Sequence, residues 1–199
     1  MISLLVVGMQ VDKVGAMRLS SAHQQQLVRA VNSCVEMVAQ RGGKIIYALD
    51  LHHPKHSSFV NGEKHCVLGT LGAEPVVGLH FGQAGSDIVF RGLDRDGDSS
   101  DAFWITEPPH EDATESRLGQ MLRHHCTQLL IVCGASPDGC IESTVASARL
   151  RAGALTICVP LDATALATSS TLYEDTAVLA PATLAEYFEK TAVVPIFEG

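Results

Sequence analysis

Cys140 stands where a strand-like run gives way to a helix-like one. Leu129 to Cys133 is apolar, Gly134 ends the run, and the turn Ala135-Ser136-Pro137-Asp138-Gly139 delivers the thiol. Behind it, Ile141, Val145 and Ala148 recur at the spacing of one helix face. A thiol in the first turn of a helix lies at the positive end of the macrodipole, which favours thiolate, the nucleophilic form. A cysteine taken alone is more often a small buried hydrophobe. The surroundings of this one argue for chemistry.

A second group follows another apolar run. Asp50-Leu51-His52 comes directly after Lys44 to Leu49. On extended backbone, residues two apart project to one face, so a carboxylate and an imidazole can converge on one cation. His65 follows a loop long enough to fold back and complete the set, with His53 and His56 as nearby alternatives. Two imidazoles and a carboxylate with open positions suit Zn, Fe or Mn, zinc first. Read without its neighbours, the same stretch is a solvated histidine-rich loop.

These groups need a frame. Ile2 to Val7, Lys44 to Leu49, Asp87 to Phe90, Leu129 to Cys133, Leu155 to Val159 and Val193 to Phe197 read as strands. Between them lie helical patterns. Ser20 or Ser21 can cap a helix carrying Leu27, Val31, Cys34, Val35 and Val38 on one face, stopped by Gly42-Gly43. Glu115 to Cys126 carries Leu118, Met121, Leu122 and Cys126 at helical spacing. Residues 50–86, rich in His, Gly and Pro, read as a long functional loop region. Strands alternating with helices predict an α/β domain with a mainly parallel sheet covered on both faces. Such folds place their sites at the carboxyl ends of the strands. Gly8, Asp50 and the Cys140 loop occupy three of those ends.

Composition narrows the function. The chain has 199 residues and 46% hydrophobic content, enough for one domain, residues 1–199, with a sizeable core. Its formal charge of −8 and lack of a Lys/Arg run disfavour nucleic acid and anionic membranes as partners. No stretch has the length of a membrane span. Met1 to Val7 lacks a basic start and reads as a strand, not a signal peptide. Six scattered cysteines fit free thiols in a reducing compartment, hence a cytoplasmic protein. No G-x-G-x-x-G follows a strand, which disfavours a dinucleotide oxidoreductase.

In this order, the pieces resemble the isochorismatase-like cysteine hydrolases, in particular their nicotinamidase/pyrazinamidase branch. Leu4 to Asp12 resembles the opening strand and its D-x-Q-x-D motif. Asp50-Leu51-His52-His53-Pro54 is similar to D-W-H-P, and His65 to Glu74 to H-C-V-x-G-T-x-G-A-E. Cys133 to Ile141 is similar to C-G-L-A-T-D-Y-C-V, and Asp162-Ala163 to a D-A pair. The resemblance implies a Rossmann-like three-layer fold with a six-stranded sheet and a homo-oligomer. It implies a Cys140 nucleophile and a divalent metal on Asp50, His52 and His65 that holds the ring nitrogen of a small heteroaromatic amide. It also implies an oxyanion hole from the backbone N–H groups of Cys140 and Ser136, with a cis bond between Ala135 and Ser136.

The chain departs from that pattern in the groups that handle protons and substrate. Gly8 stands where the family has an acid/base Asp, and Arg91 where it has a Lys. Arg keeps the charge but cannot trade a proton. On the substrate side, beside Ala135, Lys13 replaces a usual Phe and Gly62 a usual Trp. Asp12 and Asp138 are the nearest carboxylates to stand in for the missing Asp. Two functions follow: an amidohydrolase with impaired or altered activity, or an inactive relative that binds a small molecule or a protein.

Overall fold

Ile2–Val7, apolar except for Ser3, forms β1, and all but the first residue are buried. Side chains of a strand alternate between faces. Leu5 and Val7 therefore enter one core and Leu4 and Val6 the other. The structure, a computed structural model, describes residues 1–60, 62–91, 117–137, 139–151, 155–166 and 178–191. Within them, β1 is followed by α1 (Val11–Ala16), α2 (Ser21–Gln40), β2 (Lys44–Asp50), β3 (Asp87–Arg91), α3 (Arg117–His124), β4 (Leu129–Ser136) and α4 (Cys140–Arg151). Then come β5 (Thr156–Cys158), β6 (Thr164–Leu166), β7 (Val178–Leu179) and α5 (Leu184–Thr191).

The sheet runs β3-β2-β1-β4-β5-β7, with β6 also on β4, and every pairing is parallel. Among the described residues it has seven strands where six are expected, and the reason is local. Gly134 pairs with Val7 of β1 on one side and Thr164 of β6 on the other. β5 lies opposite Leu129–Ile131 of β4, so β5 and β6 follow one another along a single edge. β4 consequently runs through Ser136, where the sequence reads a turn after Gly134.

Both faces are covered, giving three layers. Leu118 and Leu122 of α3, with Ile141, Val145 and Ala148 of α4, pack on the face of Leu5 and Val7. Val14 of α1, the Leu27–Val38 stripe of α2 and Leu184 of α5 pack on the other. Full burial of each leucine, isoleucine or valine among them contributes about 1.5–3 kcal/mol. The Ser20 hydroxyl caps α2 by accepting from the His23 N–H at 3.3 Å, a contact worth about 1 kcal/mol. Cys126 falls beyond α3, exposed, with a left-handed φ of 48°. The expected strand Val193 to Phe197 lies outside the described residues. Among those described, no helix is long and apolar enough to cross a membrane.

Candidate functional site

The carboxyl ends of β1, β2 and β4 meet at one edge of the sheet, and buried polar groups fix that edge. Gly8 follows β1 with a φ of 60°. A Cβ there would collide with the Ala135 carbonyl oxygen. The position that resemblance assigns to a carboxylate is therefore closed by backbone from β4. Gln10, fully buried, donates from Nε2 to the carbonyls of Asp50 (2.7 Å) and Ala73 (2.8 Å), and accepts from the Asp50 N–H (2.8 Å). One amide side chain thus holds the end of β2 and the 70s loop together. The D-x-Q pattern marks this glutamine, but composition and spacing alone do not give it that task.

Asp50, His52 and His65 converge. Each offers a ligand atom, and these atoms lie within 4.8 Å of one another. The convergence has a backbone cause: the His52 N–H donates to the Cys66 carbonyl, and the Leu68 N–H to the His52 carbonyl, each at 2.9 Å. The returning chain is stitched against His52, and the residue before the stitch is His65. Asp12 of α1 braces it, its Oδ2 accepting from the Cys66 N–H at 2.7 Å. Cys66 takes a left-handed φ of 46°, so the brace holds a conformation that a non-glycine residue adopts at a cost. Asp12 thereby has a structural task on the loop; Asp138 lies outside the described residues.

The trio fits a divalent ion. His52 is buried, and neither of its ring nitrogens has a hydrogen-bond partner. An orphaned buried polar group costs about 1–3 kcal/mol, and an imidazole nitrogen is a natural ligand for zinc. His65 Nδ1 sits 3.1 Å from the Glu63 carbonyl, a contact that fixes the ring and would leave Nε2 for a metal. His56 and Phe59 pack their rings against His52 at 4.7 and 5.4 Å between centroids. Of the two alternatives, His56 is buried in this packing, and neither it nor His53 belongs to the converging set.

Lys13 changes the electrostatics of the trio. Almost fully buried on α1, it directs its ammonium onto Asp50 Oδ2. The sequence identifies Lys13 as a replaced aromatic, not as the ion-pair partner of a ligand. Arg91 pairs in register with Asp50 across the β2–β3 ladder, which sets its backbone beside the site. Gly62 is exposed. A cleft of about 470 Å³ opens over this edge, lined by Asp12, Lys13, Arg18, Glu63, His65 and Pro137 among others.

Cys140 begins α4 and is 4% exposed. Its Sγ lies 3.6 Å from Ser136 Oγ and 4.0 Å from the Ala135 carbonyl. Ser136 Oγ also accepts from the Ile141 N–H at 3.0 Å and donates to Glu142 Oε2 at 2.6 Å. The resemblance gives Ser136 a backbone role only, and the i, i+6 spacing from Ser136 to Glu142 gives no helical signal by itself. The Ala135–Ser136 bond is trans, as is every peptide bond among the described residues, which corrects the expected cis bond. Two other thiols are held protonated. A hydrogen bond with Cys34, together with burial, raises Cys133 well above the usual thiol range, and burial pushes Cys158 up to about 12.

Comparison with known proteins agrees with this architecture. The N-carbamoylsarcosine amidase of Thermoplasma acidophilum superposes with a TM-score of 0.67 at 19% identity, covering 90% of this chain and 95% of its own. The zinc-bound pyrazinamidase of Pyrococcus horikoshii gives 0.67 at 21% identity, covering 90% and 97%. PnC1 of L. infantum, in complex with nicotinate, gives 0.69 at 24% identity, covering 90% and 91%. No curated protein matches the sequence. The isochorismatase domain matches residues 3–184, and the chain belongs to the isochorismatase family.

Proposed function

We propose that the protein is a metal-dependent cysteine hydrolase of small amides, nicotinamidase-like in its site, with activity on nicotinamide itself impaired or redirected. One observation carries the reading. Cys140 at the start of α4 shares a sheet edge with Asp50, His52 and His65, whose ligand atoms converge. Relatives of the same fold include proteins described with zinc and with nicotinate. A divalent ion on the trio, zinc first, would supply a Lewis acid able to hold a heteroaromatic nitrogen.

The chain's own residues would do the rest. The α4 dipole favours the Cys140 thiolate. Its Sγ attacks the amide carbon, and the backbone N–H groups of Ser136 and Cys140 are the donors the resemblance assigns to the oxyanion. Ammonia leaves, and water hydrolyses the thioester. Arg91, at the end of β3, supplies positive charge without a transferable proton. Because Gly8 supplies no carboxylate, nicotinamide turnover falls at least ~10²-fold below that of a relative with the full set, by the usual worth of an acid/base.

Ammonia release from nicotinamide and pyrazinamide, with Cys140→Ala as the blank, tests the reading. Slow release lost in that variant is expected; release of the same size in Cys140→Ala overturns it. The Lys13 ammonium on Asp50 favours a second reading, a binding module with no turnover. That reading predicts ligand-induced thermal stabilisation without ammonia. The proposal takes the protein to be one domain over residues 1–199, acting on a small molecule as a cytoplasmic homo-oligomer.

A further inference from the structure

Glu142 has no part in the mechanism above, yet it ends a chain of hydrogen bonds that begins at the nucleophile. Cys140 Sγ is 3.6 Å from Ser136 Oγ, and Ser136 Oγ is 2.6 Å from Glu142 Oε2. The chemistry of the groups sets the direction of the Ser136 and Ile141 protons, and of the thiol's two acceptors, Ser136 Oγ at 3.6 Å is nearer than the Ala135 carbonyl at 4.0 Å. The Ile141 N–H, 3.0 Å from Ser136 Oγ, can only donate. An ionised carboxylate can only accept. The single hydroxyl proton of Ser136 therefore points to Glu142, and both lone pairs of Oγ accept. One accepts from Ile141, and the other receives the Cys140 thiol proton. The wire runs outward, from sulfur through a hydroxyl to a partly exposed carboxylate.

We infer that Ser136 and Glu142 replace the missing carboxylate at position 8 as the proton acceptor for Cys140. This rests on the proposal that Cys140 is a nucleophile. When Sγ bonds to the acyl carbon, the carbonyl electron pair moves to its oxygen. The thiol proton passes to Ser136 Oγ as the Ser136 hydroxyl proton passes to Glu142 Oε2. An amine leaving group then takes that proton by the reverse transfer; a phenolate leaves without it. Water attacks the thioester and returns a proton to sulfur as the acid is released. Ser136 touches the reacting sulfur, and Glu142 acts through it as a positioning residue. The closed Gly8 position and the wire are complementary: one route for the proton is filled by backbone, and the other is built from side chains.

The test uses p-nitrophenyl acetate, whose leaving group needs no proton, so the burst of p-nitrophenol reports acylation of the thiol alone. At neutral pH, Glu142→Gln and Ser136→Ala should each slow the burst by about 10²-fold or more, the usual worth of proton removal. Glu142→Asp should restore part of it. Iodoacetamide labelling of Cys140 well above the ordinary thiol pKa, where the sulfur ionises unaided, should proceed at the wild-type rate in Glu142→Gln. That combination separates the wire from a mere strut for α4, whose loss would slow both reactions alike. An unchanged burst in Glu142→Gln, with the burst abolished in Cys140→Ala, overturns the wire and leaves the nucleophile standing. A burst that survives Cys140→Ala overturns both. Equal slowing of burst and high-pH labelling in Glu142→Gln also overturns the wire.

Discussion

The ammonium of Lys13 lies against Oδ2 of Asp50, with both side chains buried. The same oxygen is 3.9 Å from His52 Nε2, and Asp50 belongs to the trio whose candidate ligand atoms converge. One carboxylate therefore serves an internal cation and stands ready for a divalent one. Like charges in a buried space repel strongly, so the two occupants oppose each other.

Replacing the cation gives the first prediction. Lys13→Met should bind zinc more tightly than wild type, measured by titration calorimetry. In the metal-free protein it should lose about 3–5 kcal/mol of stability, because a buried carboxylate is left without its cation. Added zinc should restore its melting temperature. Unchanged zinc affinity would show that the ammonium does not compete.

Removing a ligand gives the second. His52 is the most enclosed of the trio, with both ring nitrogens unpartnered. Elemental analysis of protein purified without chelator should find near-stoichiometric metal in wild type and little in His52→Ala. Equal contents would exclude the trio as the binding site.

The thiols give the third. Cys34, Cys133 and Cys158 are buried, and the last two are pushed toward the protonated form. A short iodoacetamide pulse at neutral pH, mapped by mass spectrometry, should mark Cys140 first and exposed Cys126 more slowly. Labelling of Cys158 ahead of Cys140 would make Cys140 a structural thiol.

Gly8 gives the fourth. Its left-handed φ and the Ala135 carbonyl above it leave no place for a Cβ. Restoring the family carboxylate by Gly8→Asp with Arg91→Lys therefore requires the β1 and β4 ends to separate. Gly8→Ala should lower stability by at least about 1–2 kcal/mol, the cost of the left-handed conformation alone. A denaturant midpoint equal to wild type would refute the crowding.

Asp162 gives the fifth. Burial raises its pKa despite hydrogen bonds from the backbone at Asp162 and Ala163. A raised folded pKa means that its contribution is present below the ordinary Asp value of about 3.9 and is lost as pH rises through the folded value. Asp162→Asn should therefore gain melting temperature relative to wild type at neutral pH, compared with the same pair at acid pH. A difference independent of pH would contradict this.

Much of the fold was readable because apolar periodicity survives whatever the tertiary context. The five-residue stripe of α2 and its Ser20 cap appear where the spacing puts them. β6 and β7 were not readable: strands of three and two residues carry no period, and unlike β5, which lies in the run Leu155 to Val159, neither was marked by a longer β-type run. In the site, Asp50, His52 and His65 were legible from side-chain geometry and resemblance together. The Lys13–Asp50 pair was not, because it joins α1 to β2 and depends on how they pack. Nor was the contact of Ser136 with Glu142, which arises only once the strand-to-helix turn brings position 136 over the first turn of α4.

Helix α1 is six residues long, and it reaches the converging trio at two places by different means. Through Lys13 it meets Asp50, and through Asp12 it holds the backbone beside His65. A small tilt of this one segment would move both, in concert and without altering any ligand. The geometry of the trio and the shape of the cleft are therefore not separately adjustable in this protein. Libraries that vary residues 11–16 should yield variants in which the two change together, and selecting for one will carry the other along.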